Sequence, residues 1–125
     1  MIYSTFIYIM EEVEKKNIEI EIVPGIPSFL AGAAKSKTPL TLKGENFLLC
    51  DEFREEFLGE VDSVCILKTL NHKEKIIEDL EENKNDYKYM KRASLENQEI
   101  IINKDEILQD KDYISFIIGR RKEND

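Results

Sequence analysis

Ile18-Glu19-Ile20-Glu21-Ile22-Val23-Pro24-Gly25-Ile26-Pro27-Ser28-Phe29-Leu30-Ala31-Gly32-Ala33-Ala34 is the stretch on which the reading of this chain turns. Isoleucines at 18, 20 and 22 alternate with Glu19 and Glu21, the two-residue period of a strand with one buried face. Pro24-Gly25 breaks the run. From Pro27 or Ser28 the pattern becomes helical, and Ala31, Gly32, Ala33 and Ala34 are small enough for close packing on a sheet. Strand, turn and sheet-packing helix in succession form the elementary unit of an α/β fold.

The same alternation continues on both sides. Upstream, Ser4 or Thr5 is placed to cap a helix reaching about Lys16. Phe6, Ile9, Met10 and Val13 share one face of it, with Glu11–Lys15 and Glu12–Lys16 as i,i+4 pairs on the other. Downstream, Lys37-Thr38-Pro39 ends the alanine-rich helix, and Asn46–Cys50 reads as a short buried strand. Asp51 then caps a brief helix carrying Phe53 and Phe57, with Gly59 just past its end. Ser63–Lys68 is the next strand. Asn71-His72-Lys73-Glu74 resembles a capping box with Asn71 in the cap position, opening a helix with Ile76, Ile77 and Leu80 inward. Asp86–Ala93 is a strand packed through Tyr87, Tyr89 and Met90. Glu99–Ile102 fits either strand or helix, and Tyr113–Gly119 is a final strand. The expected core includes Phe6, Met10, Ile20, Ile22, Phe29, Leu48, Ile66, Ile77, Phe116 and Ile118.

With 125 residues, 42% hydrophobic and 35% charged, the chain suits one domain with a core of its own. The net charge of −8 argues against nucleic acid as the main partner, since phosphate binding needs a positive field. Arg120-Arg121-Lys122 is the one basic cluster and reads as a solvated strand terminus. No apolar run reaches the length of a membrane helix, and no basic segment precedes the first apolar stretch as in a signal peptide. A cytoplasmic protein is expected. Cys50 and Cys65 each lie inside an apolar run and read as buried, reduced thiols. With His72 the single histidine, neither metal-ligand spacing nor a third group for a Cys–His nucleophile is present, so no metal is expected.

Three turns are placed to meet a ligand, because ligands of open α/β sheets sit beyond the carboxyl ends of strands. In Val23-Pro24-Gly25-Ile26-Pro27-Ser28, glycine admits close backbone approach and the helix start offers free N–H groups; plain turn chemistry explains the same residues. In Met1-Ile2-Tyr3-Ser4-Thr5 the hydroxyls suit either a cap or a ligand carboxylate. Lys68-Thr69 follows a strand, where a lysine is often merely solvated. The phosphate-loop patterns GxxxxGK[ST] and GxGxxG are absent.

Taken together and in order, these segments are far more specific. Met1-Ile2-Tyr3-Ser4-Thr5-Phe6, Ile22-Val23-Pro24-Gly25-Ile26-Pro27-Ser28-Phe29, Thr38-Pro39-Leu40, Val64-Cys65-Ile66-Leu67-Lys68, Lys91-Arg92-Ala93-Ser94 and Tyr113–Ile118 resemble the tetrapyrrole methylases, in their precorrin-2 C20-methyltransferase branch. The resemblance covers essentially the whole chain. It implies a three-layer α/β sandwich with a five-stranded mixed sheet between helices, the last two strands antiparallel to the others. Residues 1–125 would be one domain, the C-terminal wall of the cofactor and substrate cleft. The N-terminal domain, with its Gly-Pro-Gly-rich loop and Gly-Asp-Pro segment, is missing from this sequence.

The resemblance also implies S-adenosylmethionine as methyl donor and precorrin-2 or its cobalt form as substrate. Ile2, Ser4, Thr5, Gly25, Pro27, Ser28, Leu67, Lys68, Ala93 and Ser94 would lie at the cofactor, and Met1 and Tyr3 toward the substrate. Pro27 departs from the threonine common in the family and removes a hydroxyl and an N–H donor. No general base is indicated. The expected partners are the tetrapyrrole and the N-terminal half. An open apolar cleft face also favours a homodimer. Two alternatives stand beside this reading: methylation of a different ring carbon, and a non-catalytic binding module on the same fold.

Overall fold

The computed structural model describes residues 5–123. Its elements, in order, are helix α1 (Phe6–Glu14), helix α2 (Ser28–Lys35), strand β1 (Phe47–Cys50), a 3-10 turn (Glu55–Gly59), β2 (Ser63–Leu67), α3 (Lys73–Glu82), β3 (Asn85–Lys91), β4 (Glu99–Ile101), α4 (Lys104–Gln109) and β5 (Ser115–Arg121). The strands form one sheet in the order β1-β2-β5-β3-β4. β1 and β2 are parallel. β5 lies antiparallel between β2 and β3, and β4 antiparallel on the outer edge of β3. Hence β1, β2 and β3 run one way and β4 and β5 the other, as the resemblance implies.

Strand alternation divides the core between the two faces of the sheet. Cys65, Met90, Phe116 and Ile118 meet Phe29 and Ala33 of α2 on one face. Val64, Ile66, Tyr89 and Ile117 meet Ile76, Ile77 and Leu80 of α3 and Ile107 of α4 on the other. Helix, sheet and helix give three layers. Gly32 lets α2 press onto the sheet: a Cβ there would stand 2.7 Å from Phe116 Cζ and would also overlap Met90 Sδ. Lys73, at the start of α3, is buried yet satisfied. Its ammonium donates to the carbonyls of Ile107, at 2.7 Å, and of Asp110, fastening α3 to α4. Burial pushes the Lys73 pKa down, and the charge of Asp110 opposes that shift.

Five of the ten expected core residues, Phe29, Ile66, Ile77, Phe116 and Ile118, are buried, and Leu48 packs against them half-buried. The N-terminal expectations fare differently. Residues 18–27 form no strand: the segment pairs with neither free sheet edge, β1 nor β4, and an unpaired strand leaves its backbone polar groups to water. Met10 and Ile20 are half-buried, while Phe6 and Ile22 are exposed (39% and 50%). α1 is shorter than expected and buries no residue. Its Thr5 side chain makes no cap hydrogen bond, and Lys15 pairs with Glu12 at i,i+3 rather than with Glu11.

Other local corrections concern caps. The helix after β2 has His72, not Asn71, in the cap position, and no side chain caps it. Asp51 caps nothing, because the turn it was to open is a 3-10 turn starting at Glu55, with Gly59 inside it. α4 was unanticipated, although Asn103 and Glu106 stand at capping-box spacing and the Asn103 side chain accepts from Glu106 N–H at 3.1 Å. Glu99–Ile101 is a strand. Cys50 and Cys65 are buried free thiols, pushed up by burial to about 11 and about 12.

Candidate functional site

Because β1, β2 and β3 point the same way, Cys50, Leu67 and Lys91 end them on one edge of the sheet. β5 begins at that edge, with Phe116 opposite Leu67 and Ser115 opposite Lys91. The turns leaving β2 and β3 are therefore separated only by the width of β5. Each takes an uncommon backbone form, with φ of +54° at Lys68, +53° at Arg92 and +71° at Ser94. Leu67-Lys68 and Ala93-Ser94, distant in sequence, are thus brought to the same edge. Leu67 and Ala93 also pack against the cluster that contains Phe29.

α2 lies across one face of the sheet. Gly32 crosses Met90 and Phe116, near the ends of their strands. The residues beyond α2 fall back along β3, where Ser36 O and Thr38 Oγ1 hold Lys88 Nζ at 2.9 and 2.8 Å. The first turn of α2 carries Phe29, which shares a cluster with Leu67 and Ala93 but stacks at 5.8 Å on Phe47, at the start of β1, so the fold does not by itself bring Ser28 to the edge of Leu67 and Ala93. Pro27 occupies the cap position in extended geometry, and no side chain caps the helix. Gly25 lies in the exposed connection before it, with open space around its Cβ position. Thr5 is exposed at the start of α1, and among the described residues no hydrogen bond joins Thr5 or Gly25 to the strand-end turns. Met1, Ile2, Tyr3 and Ser4 fall outside the described residues.

On the α3 side of this edge a cavity of about 600 Å³ opens between the β1 and β2 ends and α3. Phe53, Leu67 and Ile76 give it apolar walls, and Lys68, His72 and Asp51 give it polar ones. Lys68 Nζ stands 3.6 Å from Asp51 Oδ1. Beside Lys68, the buried Thr69 Oγ1 has no hydrogen-bond partner among the described residues, which is costly unless a further group supplies one. Apolar walls with charged and polar side chains at the rim suit a small ligand that has both apolar and polar parts.

The turn after β3 is held by residues that sequence reasoning passed over. Arg92 bonds to Asp112, Glu99 and the Asn97 carbonyl, and Ser94 N–H donates to Gln98 Oε1 at 2.9 Å. Asp110 receives Tyr89 Oη, Lys91 Nζ and its neighbour's Asp112 N–H. Burial alone would raise the Asp110 pKa, but these hydrogen bonds and the Lys91 charge hold it at about 2. The signal in the sequence was Asp110-Lys111-Asp112 standing before the last strand, opposite Lys91-Arg92. Only the pairing of β3 with β5 joins the two.

Comparison with known proteins bears on the family and the fold. The chain is 35% identical over 127 aligned positions to a probable cobalt-precorrin-2 C(20)-methyltransferase of Methanocaldococcus jannaschii, an alignment covering 96% of this chain and 54% of that protein. The chain therefore spans about half the length of this relative. Among solved structures, a cobalt precorrin-4 methyltransferase of cobalamin biosynthesis superimposes with a TM-score of 0.78 at 15% identity, over 95% of this chain and 59% of the other. Uroporphyrin-III C-methyltransferase from Thermus thermophilus, complexed with S-adenosyl homocysteine, gives 0.70 at 17% identity, over 96% and 61%. At such identities the structural likeness speaks for the fold. A profile of the tetrapyrrole (corrin/porphyrin) methylases matches residues 1–107, and the chain belongs to that family.

Proposed function

We propose that this chain is the C-terminal cleft wall of an S-adenosylmethionine-dependent methyltransferase that acts on C20 of precorrin-2 or cobalt-precorrin-2 in corrin biosynthesis. The observation that carries the reading is the 35% identity, sustained over nearly the whole chain, to a protein of that name. The edge that the β2 and β3 turns share supports it, since it is where an α/β sheet takes its ligand.

When bound, the cofactor supplies an already electrophilic methyl group. What remains for the protein is to hold that group and the ring carbon in line at near-attack distance. Leu67, Lys68, Ala93 and Ser94 would frame the adenosine end from the strand-end turns. Gly25, Pro27 and Ser28 would approach from the start of α2, with Ile2, Ser4 and Thr5 completing that side and Met1 and Tyr3 facing the tetrapyrrole. Proline at 27 leaves this wall one N–H and one hydroxyl short of a threonine. No residue of this chain is assigned as acid or base.

The other wall would come from a second half, the expected partner. Phe6, Tyr8, Ile9, Ile18, Ile22, Val23, Ile26 and Leu30 are exposed in the N-terminal part of the chain, an apolar surface of the kind that marks a contact face. No helix among the described residues is long and apolar enough to cross a membrane, and a cytoplasmic site of action fits the proposed pathway. A cleft ligand that touches one wall loses several hydrogen bonds, each worth about 0.5–1.5 kcal/mol, and with them orders of magnitude in affinity. Calorimetric titration with S-adenosyl homocysteine should therefore show weak or no binding by this chain alone. It should show micromolar binding once the chain is joined to the complementary half of its relative. Tight binding and turnover by the lone chain would refute this placement of the active site.

A further inference from the structure

Arg92 is the first residue after β3, and both its backbone and its side chain are tied down. Its N–H donates to Ile114 O at 2.8 Å, and its own carbonyl accepts from Leu95 N. The guanidinium donates through Nε to Asn97 O at 3.0 Å, through Nη2 to Glu99 Oε1 at 3.3 Å, and through Nη1 to Asp112 Oδ2. Asp112 is itself fixed, since its other oxygen accepts from Ile114 N–H at 3.0 Å and its carbonyl accepts from Ser115 Oγ at 2.9 Å. One side chain thus ties the turn at 93–98 to the start of β4 and to the loop that enters β5. Both partners of the Arg92–Asp112 pair are largely shielded, at 23% and 18% side-chain exposure, so the pair is less weakened by solvent than a surface bridge.

We infer that Arg92 is a positioning residue: it presets the turn that carries Ala93 and Ser94, and through that turn it sets cofactor affinity. The inference rests on the functional reading above. Its physical basis is the planar fork of the guanidinium, which addresses three acceptors in different directions at once. A lysine ammonium in the same place is a point charge on a flexible stem and cannot span them. The left-handed backbone at Arg92 and Ser94 carries a conformational cost that surrounding bonds must hold in place. A turn ordered in advance spares the ligand the cost of ordering it.

The test uses Arg92→Lys, Arg92→Met and Asp112→Asn in this chain and in the chain joined to its complementary half. Amide exchange of peptides spanning 93–98 should quicken about tenfold in each variant, with protection in β2 and β5 retained, because local opening is separable from global unfolding. In the joined protein, the Kd for S-adenosyl homocysteine and the KM for S-adenosylmethionine should rise about tenfold while kcat changes less than twofold. Unchanged exchange at 93–98 would overturn the inference, as would faster exchange with unchanged affinity. If the unsubstituted joined protein fails to bind S-adenosyl homocysteine, the functional reading itself is wrong. Binding by that protein with no difference in the variants sinks only the role of Arg92.

Discussion

Replacing Gly32 by alanine sets two known effects against each other. In an ordinary helix interior the change stabilises, because glycine is about 0.8–1.0 kcal/mol worse than alanine. Here the added Cβ would stand 2.7 Å from Phe116 Cζ and would overlap Met90 Sδ. The methionine can swing aside at small cost. The phenylalanine ring cannot, since it is buried in the same cluster with Cys65 and Ile118 around it. Overpacking by one methyl group costs about 1–3 kcal/mol, so the net expectation is a loss of about 1 kcal/mol, and at most about 2. For a domain of this size that corresponds to a midpoint lowered by about 3–8 °C. Urea unfolding followed by circular dichroism measures it, with Gly59→Ala as a control, since a Cβ at 59 meets nothing within 4 Å. In a Phe116→Leu background the cost of Gly32→Ala should shrink, giving a coupling energy of at least about 0.5 kcal/mol. A Gly32→Ala protein that is more stable than the parent by about 1 kcal/mol would refute the claim that α2 is seated on the sheet through this glycine.

Three further outcomes are expected. Asp110 has a folded pKa of about 2 against the ordinary 3.8, so its contribution is fully present above about pH 4 and is lost as pH falls toward 2; Asp110→Asn should flatten acid unfolding in that window by up to about 2 kcal/mol, and an unchanged acid profile would count against the Lys91–Asp110–Tyr89 cluster. Cys50 and Cys65, buried with thiols pushed to about 11 and about 12, should resist a thiol reagent at pH 8 in the folded protein and react on unfolding, so rapid native labelling would contradict their burial. Asn103→Ala removes the one side-chain cap hydrogen bond found among the described helices and should cost about 1 kcal/mol, measured by chemical denaturation, whereas no loss would show the cap to be idle.

The elements that could be read from the sequence were those whose pattern and environment agree. β2, α3, β3 and β5 carry apolar residues at the period of their own structure, and each is buried by a neighbour in this chain. Ile18, Ile20 and Ile22 have an equally clear alternation and form no strand. Periodicity states which face wants burial, not whether a partner edge exists to receive it. Caps were misread at Thr5, Asp51 and Asn71 because a capping side chain competes with other local geometries of similar energy. The same ambiguity hid α4, whose Asn103 does cap.

For the site, the sequence by itself pointed to the turns proposed to meet the ligand: glycine and proline before α2, a lysine after β2 and a small-residue pair after β3, in the order that resembles one family. It determined the family and, with it, the cofactor worth proposing. That β2 and β3 are separated by β5 is a matter of strand order, and strand order is set by long-range pairing energies that no local window contains. Only the tertiary structure therefore brought Leu67-Lys68 and Ala93-Ser94 to one edge and joined Arg92 to Asp112 across the β3–β5 pairing.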